Sequence, residues 1–300
     1  MDTIQARSVQ RGTLFVVIAS ALWGTVGVAS QALVNLTSTT PLTISYLRLV
    51  IAAPILLVIG WQLLGRSMWS ISRRDVGLMM LIGLLTATDQ VLYFAAISFT
   101  GVTIATLIAV CSAPILVILM TAALEHTMPT PFILKMVALA LVGAVLLVAG
   151  SATTTHYNSS LVGVALAAGS ALTHSSVLML GKFLSGKYHA LQITAIGFST
   201  GAICLFALSH LVVSAAGNYP LTGWALILYL GVVPTALAYG LFLIGMRTTS
   251  APVASILILL EPLTAAVLAW ILFGERLLLP GIVGAGLLLG AIYALSRESR

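Results

Sequence analysis

Apolar residues fill most of the chain in runs of about twenty, and short polar connections separate the runs. None of the runs shows the period-two alternation of membrane barrel strands. A helix of about 20 apolar residues is long enough to cross a bilayer. The pattern therefore predicts ten membrane-spanning helices. They cover residues 13–33, 42–64, 76–97, 101–122, 131–150, 160–182, 190–213, 222–245, 251–272 and 278–296.

Composition supports a membrane protein. The chain is 60% hydrophobic and 7% charged, whereas a water-soluble domain carries about 25% charged residues. In lipid, each segment must satisfy its own backbone hydrogen bonds, which leaves helices as the spanning elements. The predicted fold class is an all-α polytopic membrane protein, with the lipid bilayer as its surroundings and no separate soluble domain.

The basic residues predict the orientation. With both termini in the cytoplasm, eleven of the 13 Lys and Arg residues lie on the inner side, only Arg276 lies outside, and Arg48 falls within the second span. Such a bias is the usual signature of membrane topology. The basic residues are scattered rather than clustered with aromatics, so nucleic acid is not an expected partner.

Three landmarks of the first half recur in the second half at one offset. An odd number of spans per half would insert the second half upside down, and we expect two inverted five-helix repeats, residues 1–152 and 153–300. That architecture is typical of secondary transporters, whose substrate site lies near the midplane. Gly83, Phe94 and Pro114 return 148 positions later as Gly231, Phe242 and Pro262.

Several motifs resemble the EamA family of the drug/metabolite transporter superfamily. The second repeat is represented by Gly231–Tyr239, Ser250–Ser255, Leu260–Pro262 and Phe273–Arg276, and the start of the first by Ala21–Gly24. The similarity covers nearly the whole chain. Within the family, the chain is most similar to the YddG-type exporters of aromatic and other amino acids.

The resemblance implies a bacterial inner-membrane protein that exports amino acids and related metabolites by alternating access. A multidrug or general metabolite exporter is an alternative, because the same apolar cavity would serve it. The first repeat departs from the pattern, since Cys111-Ser-Ala-Pro114 replaces a Glu-Pro pair. A glutamate role common to both halves is therefore not expected.

Asp89 is the sharpest candidate for a functional charge. Thr86, Asp89, Gln90 and Tyr93 share one helix face, and an ionisable residue within a span costs roughly 2.5–3.5 kcal/mol unless it faces a cavity or a partner. Two interpretations remain open: a structural ion pair with Arg48, or a direct role with substrate or protons.

Two further titratable residues lie in spans. His174 has a side chain suited to proton handling, although a hydrogen-bonded core histidine is the more common case. Glu261 precedes Pro262 in the ninth span; it either couples transport to protons or bonds a neighbouring helix.

Trp23, Tyr46, Tyr93 and Tyr239 lie within spans rather than at their ends, where an interfacial belt would place them. Each could serve bundle packing alone. Together they predict an aromatic-lined cavity for an amino acid whose ammonium binds ring faces or carboxylates.

Pro114 and Pro262 remove a helical hydrogen bond at matched positions and are predicted hinges. The pairs Gly197 with Gly201, and Gly286 with Gly290, have the spacing of close-packed membrane helices, and we expect contacts within one chain.

The sequence carries no catalytic signature. It has no His-Glu-x-x-His motif, no Walker A loop and no paired nucleophile and base. We therefore expect no enzyme activity, no ATP-driven pumping, no cofactor and no metal. A passive channel is a weaker alternative, because it has no need of an inverted repeat.

Overall fold

A computed structural model describes residues 3–37, 39–126, 129–150, 160–212, 219–273 and 278–298, and within these ranges the protein is helical with no strand. Ten helices coincide with the ten predicted spans. In the described part of the chain nine are long and apolar enough to cross a membrane, and the last has a shorter apolar part, Leu279–Leu295. The helices are α1 Thr3–Thr37, α2 Pro41–Leu64, α3 Arg73–Gly101, α4 Ile104–Glu125, α5 Pro131–Gly150, α6 Leu161–Ser185, α7 Ala190–Val212, α8 Leu221–Met246, α9 Ala251–Leu272 and α10 Leu279–Glu298.

Short polar side chains fix where several helices begin. The hydroxyls of Thr40, Ser72 and Ser160 accept hydrogen bonds from the first-turn amides of α2, α3 and α6. Free amides at a helix start otherwise lack partners, and a cap of this kind stabilises the helix by about 1 kcal/mol. Asp75 in the first turn of α3 adds a favourable charge at the positive end of the helix.

Helices α3 and α4 follow one another with almost no connection. The chain stays helical from Arg73 to Glu125 except at Gly101, where φ is 79° and ψ is 165°. A side chain at this backbone conformation would be strained, whereas glycine adopts it readily. One glycine thus separates two antiparallel spans.

Two helices of the second half are irregular. Within α8, the segment Val232–Leu237 forms a π-helical turn around Pro234. Helix α9 is interrupted at Leu259, between Ala251–Ile258 and Leu260–Phe273. The interruption lies one turn before Pro262, as expected where a proline leaves a carbonyl unpaired. The first-half counterpart differs, because α4 runs through Pro114 without interruption.

The main helix contacts join the first half of the chain to the second. Helix α5 packs on α10, α2 on α7, α1 on α8 and α9, and α3 and α4 on α6. Two of the pairs, α2 with α7 and α5 with α10, join helices at the same position in each half.

Glycines allow the closest of these approaches. A Cβ at Gly83 would collide with the Gly197 carbonyl, and one at Gly143 would lie 2.8 Å from the Gly284 carbonyl. The predicted close packing is therefore correct for Gly197 and Gly201, which face Gly83 within the chain. Gly286 and Gly290 do not make the expected contact within the chain, because no neighbouring atom of the described residues lies within 4 Å of the Cβ position at either residue.

The outside of the bundle is apolar. Trp270, Ile271 and Leu272 are all more than half exposed, and Leu161 and Leu221 are 87% and 86% exposed. Such a surface is stable only against lipid. Both cysteines are free, and Cys111 is a buried residue of the core.

Candidate functional site

The polar face of α3 lies inside the bundle, where it meets three other helices. Asp89 accepts a hydrogen bond of 2.6 Å from the Ser170 hydroxyl of α6, and the Gln90 amide oxygen accepts one of 2.8 Å from Ser45 of α2. Tyr93 shares a hydrogen bond of 2.7 Å with Thr106 of α4. The stripe therefore joins helices from both halves, and none of these groups faces lipid.

Asp89 and His174 are neighbours. Nδ1 of His174 lies 3.7 Å from Oδ2 of Asp89, and their side chains are 29% and 12% exposed. The pair is ionic when the imidazole carries a proton. The carboxylate thus has two partners on α6, Ser170 and His174, which are four residues apart on one helix face.

Arg48 does not pair with Asp89. Its Nε donates to the Thr235 hydroxyl at 3.0 Å, and Thr235 itself donates to the Leu230 carbonyl at 2.7 Å. The second bond spans five residues because α8 is π-helical there, and π turns recur at functional sites. The structural ion pair considered from the sequence is absent from the described residues.

Glu261 lies at the break in α9 and is half-buried. Within the described ranges its carboxyl group accepts no hydrogen bond and has no ion-pair partner, but it lies within electrostatic range of Arg48, His174 and Asp89. Of the four side chains Arg48, Asp89, His174 and Glu261, Asp89 and His174 form the one close pair in the described part of the chain.

Aromatic side chains form a wall beside these charges. The ring centroids of Trp23 and Tyr239 are 4.7 Å apart, those of Trp23 and Phe242 are 5.1 Å apart, and Phe198 meets Tyr239 edge-on at 4.8 Å. The rings line a small cavity together with His174 and apolar side chains of α3, α6 and α7.

The structure brings only part of the predicted site to this cavity. Trp23, His174 and Tyr239 line it. Thr86 donates to its own helix at Ile82, and Tyr46 packs on Phe206 instead. Gln90 and Tyr93 hold neighbouring helices together, and neither contributes to the wall.

Four residues of the site were not predicted as site residues from the sequence. Phe198 and Phe242 are ordinary apolar residues of their helices, and only the fold turns them toward Trp23. Thr235 follows Pro234, and a proline in a span is the one available sign of irregular backbone there. Ser170 lies one turn before His174, a spacing that signals a shared face.

One buried donor at the cavity has no acceptor. Trp23 is 6% exposed, and its indole Nε1 makes no hydrogen bond within the described ranges. An unpaired buried donor costs about 1–3 kcal/mol. Such a group in a cavity wall is available to a ligand.

Hydrogen bonds join the helix ends and connections at one end of the bundle, which we call the Arg247 end. This end comprises residues 65–75, 182–192 and 246–250, and most of its side-chain bonds go to backbone carbonyls. Arg247 donates to Ser185 and Tyr188, Lys182 to Met246 and Thr249, Gln192 to Ser67 and Met68, and the Tyr188 hydroxyl to Asp75.

His189 belongs to the same end. Burial lowers its pKa below the ordinary value, and the charge of Arg247 lowers it further. The imidazole is therefore held neutral, and its Nδ1 accepts a hydrogen bond of 3.3 Å from the Leu191 amide.

These features define the class of protein: a multi-pass membrane protein with polar and aromatic groups gathered inside its helix bundle. Among the described residues, no three His, Cys, Asp or Glu side chains are arranged to hold a metal.

The sequence profile of the EamA-like transporter family matches the chain twice, over residues 10–149 and 161–297. The chain belongs to this family. It is therefore a membrane transporter, and its family is one of transporters rather than of enzymes.

Relatives and one solved structure agree with this membership. The chain is 28% identical to an uncharacterized inner membrane transporter of Salmonella typhimurium, YicL, covering 98% of this chain and 97% of that protein. It is 30% identical to an uncharacterized transporter of Bacillus subtilis, YwfM, covering 96% and 94%. A crystal structure with 18% identity has the same fold, with a TM-score of 0.81 over 96% of this chain and 98% of the other.

Proposed function

We propose that this transporter exports amino acids, including aromatic and apolar ones, and related small metabolites across the bacterial inner membrane. The observation that supports this is the combination of an aromatic cavity with charged side chains nearby, on helices from both halves. An amino acid needs both surroundings, one for its side chain and one for its charged head.

The proposed mechanism is alternating access between two inverted five-helix repeats, residues 1–152 and 153–300. The connections that precede α2 and α7, which hold the same place in each half, support the inversion. The connection before α2 bonds through Thr39 to Tyr219, at one end of α2. The connection before α7 bonds through Tyr188 to Asp75, beyond the other end of α2. Two antiparallel modules of similar structure supply two states of similar energy, each open to a different side.

We place the Arg247 end in the cytoplasm, with both termini, because Arg66, Arg73, Arg74, Lys187 and Arg247 lie there. The hydrogen bonds of that end then close the cavity toward the cytoplasm. On this proposal the transporter is shut on the side from which an exporter takes its substrate.

A multidrug or general metabolite exporter is the second proposal. Apart from His174, Thr194 and the polar atoms of Trp23 and Tyr239, the cavity wall is apolar. A wall of this kind also accepts flat hydrophobic cations, to which aromatic faces are attractive.

Counterflow in proteoliposomes tests both proposals. Purified protein, loaded in turn with amino acids and with lipophilic cations, is assayed with and without a pH gradient. Accumulation of labelled amino acid, saturable and absent from protein-free vesicles, is the expected result. Exchange of cations alone would support the multidrug proposal, and flux without saturation or counterflow would identify a channel.

A further inference from the structure

Two opposite charges inside the bundle leave their charged atoms unused. Arg48 uses only Nε, in its bond to Thr235, and its two terminal nitrogens donate to no acceptor in the described part of the chain. Glu261 accepts no bond there either, although each side chain lies within electrostatic range of the other. Unpaired charges in an apolar interior are costly, so a separated pair of this kind is suited to a ligand that carries both charges.

One residue of the cavity wall, Tyr239, connects the aromatic cavity with both charges. Tyr239 contributes its ring to the cavity wall and lies within electrostatic range of both Arg48 and Glu261. On the other side, α1 packs tightly on α9, because a Cβ at Gly24 would lie 2.6 Å from the Glu261 carbonyl oxygen. Trp23, with its unpaired indole donor, is the next residue along α1.

Asp89 is less suited to a substrate's charge. Its carboxylate already accepts a hydrogen bond from Ser170 and faces His174. Within the described residues Glu261 has neither kind of partner, so its carboxylate is open to a ligand's positive charge.

We propose that Arg48 and Glu261 bind the two ends of an amino-acid zwitterion. Arg48 binds the α-carboxylate through its planar fork of donors, with Trp23 Nε1 as a further donor, and Glu261 binds the α-ammonium. The apolar side chain enters the cavity between Trp23, Phe242 and Tyr239. The assignment rests on the proposed function and specifies its recognition chemistry.

The arrangement predicts that both charges of the substrate are required. A ligand that lacks one charge leaves either Arg48 or Glu261 unpaired in the interior, and each lost charge-assisted hydrogen bond costs about 1.5–3 kcal/mol, which is roughly a ten- to hundredfold loss of affinity. An amine without a carboxylate and an acid without an amine should both bind poorly.

The test is competition against phenylalanine counterflow by the purified full-length protein, using phenylalanine, phenethylamine and 3-phenylpropionate as competitors. In the wild type, phenylalanine should compete about ten- to a hundredfold better than either analogue. Arg48→Gln should remove its advantage over phenethylamine and leave its advantage over 3-phenylpropionate. Glu261→Gln should do the reverse.

The outcomes separate the two proposals. Wild-type protein that exchanges no amino acid would overturn the proposed function. The Arg48 and Glu261 assignment would be overturned, with the proposed function intact, by either of two results. One is phenylalanine exchange in which both analogues compete as well as phenylalanine does. The other is that both variants keep the wild-type preference for phenylalanine over each analogue. The wild-type arm decides the question even where a variant does not fold, and Arg48→Lys and Glu261→Asp provide charge-retaining controls.

Discussion

At the scale of residues, the interior polar groups are connected in a definite order. Ser170 and His174 surround Asp89, Thr235 holds Arg48, and Glu261 remains unbonded among the described residues. The sequence allowed Asp89 to be identified, because a charge within a span is conspicuous. It did not allow Arg48's partner to be identified, since Thr235 reaches Arg48 only because the helix winds more loosely there.

Replacing Asp89 or His174 should impair transport more than replacing Cys111. Asp89→Asn leaves the Ser170 hydroxyl and His174 without an anion, and His174→Ala removes the one basic group in contact with Asp89. We expect about a tenfold lower initial counterflow rate in each variant, against little change in Cys111→Ala. Normal rates in both variants would remove this cluster from the mechanism.

Thr235→Val should reduce transport, whereas Thr235→Ser should not. Valine has nearly the same shape but cannot accept the bond from Arg48 or donate to Leu230. Loss of these bonds should lower the counterflow rate by about tenfold. Equal rates in the two variants would show that the hydroxyl has no role.

His189 makes the Arg247 end sensitive to pH. Because the folded protein lowers the pKa of His189, the neutral form is favoured and this contribution to stability is lost as the pH falls below the ordinary histidine value of about 6.5. Labelling of Lys187→Cys, in a protein without native cysteines, should therefore become faster below that pH relative to the same cysteine in a His189→Gln background. The ratio of the two rates cancels the loss of thiolate that slows all thiol labelling as the pH falls.

At the scale of helices, the number and bounds of the spans could be predicted, because length and hydropathy alone determine what crosses a bilayer. The irregular elements could be predicted only in part. Pro262 interrupts its helix and Pro114 does not, although the two residues occupy matched positions. Neighbouring helices decide the difference, and the local sequence carries no information on those neighbours.

Helix crossing depends on single glycines. Gly83→Ala should destabilise the protein, because its Cβ would press on the Gly197 carbonyl, whereas Gly77 of the same helix has open space around its Cβ position. Overpacking of this kind costs about 1–3 kcal/mol. Thermal unfolding in detergent should show a lower midpoint for Gly83→Ala and little change for Gly77→Ala.

At the scale of the whole molecule, the main helix contacts join the first half of the chain to the second. The predicted midplane site could be located only approximately from the sequence. Which aromatic rings face one another depends on helix rotation, so Trp23 and Tyr239 reach the cavity while Tyr46 turns to Phe206. That rotation results from the packing of the entire bundle.

Weakening the Arg247 end should open the cavity. Lys182→Met with Arg247→Ala removes four bonds from side chains to backbone carbonyls. We expect faster labelling of a cysteine at position 194, in the cavity wall, by a membrane-impermeant reagent applied from the cytoplasmic side. Arg66→Ala is the matched control, because Arg66 is exposed and makes no such bond. Unchanged labelling would show that these bonds do not limit access.

Helices α5 and α10 meet backbone to backbone, since a Cβ at Gly284 would lie 2.5 Å from the Gly143 carbonyl. Two smooth surfaces in contact can turn through a few degrees without any side chain changing its rotamer. If the halves rock as proposed, this helix crossing is suited to be the pivot of their rotation. The irregular backbones of α8 and α9 would accommodate the accompanying bending. Transport would then tolerate substitutions on the lipid side of α10 and fail when a larger side chain replaces a glycine at this crossing.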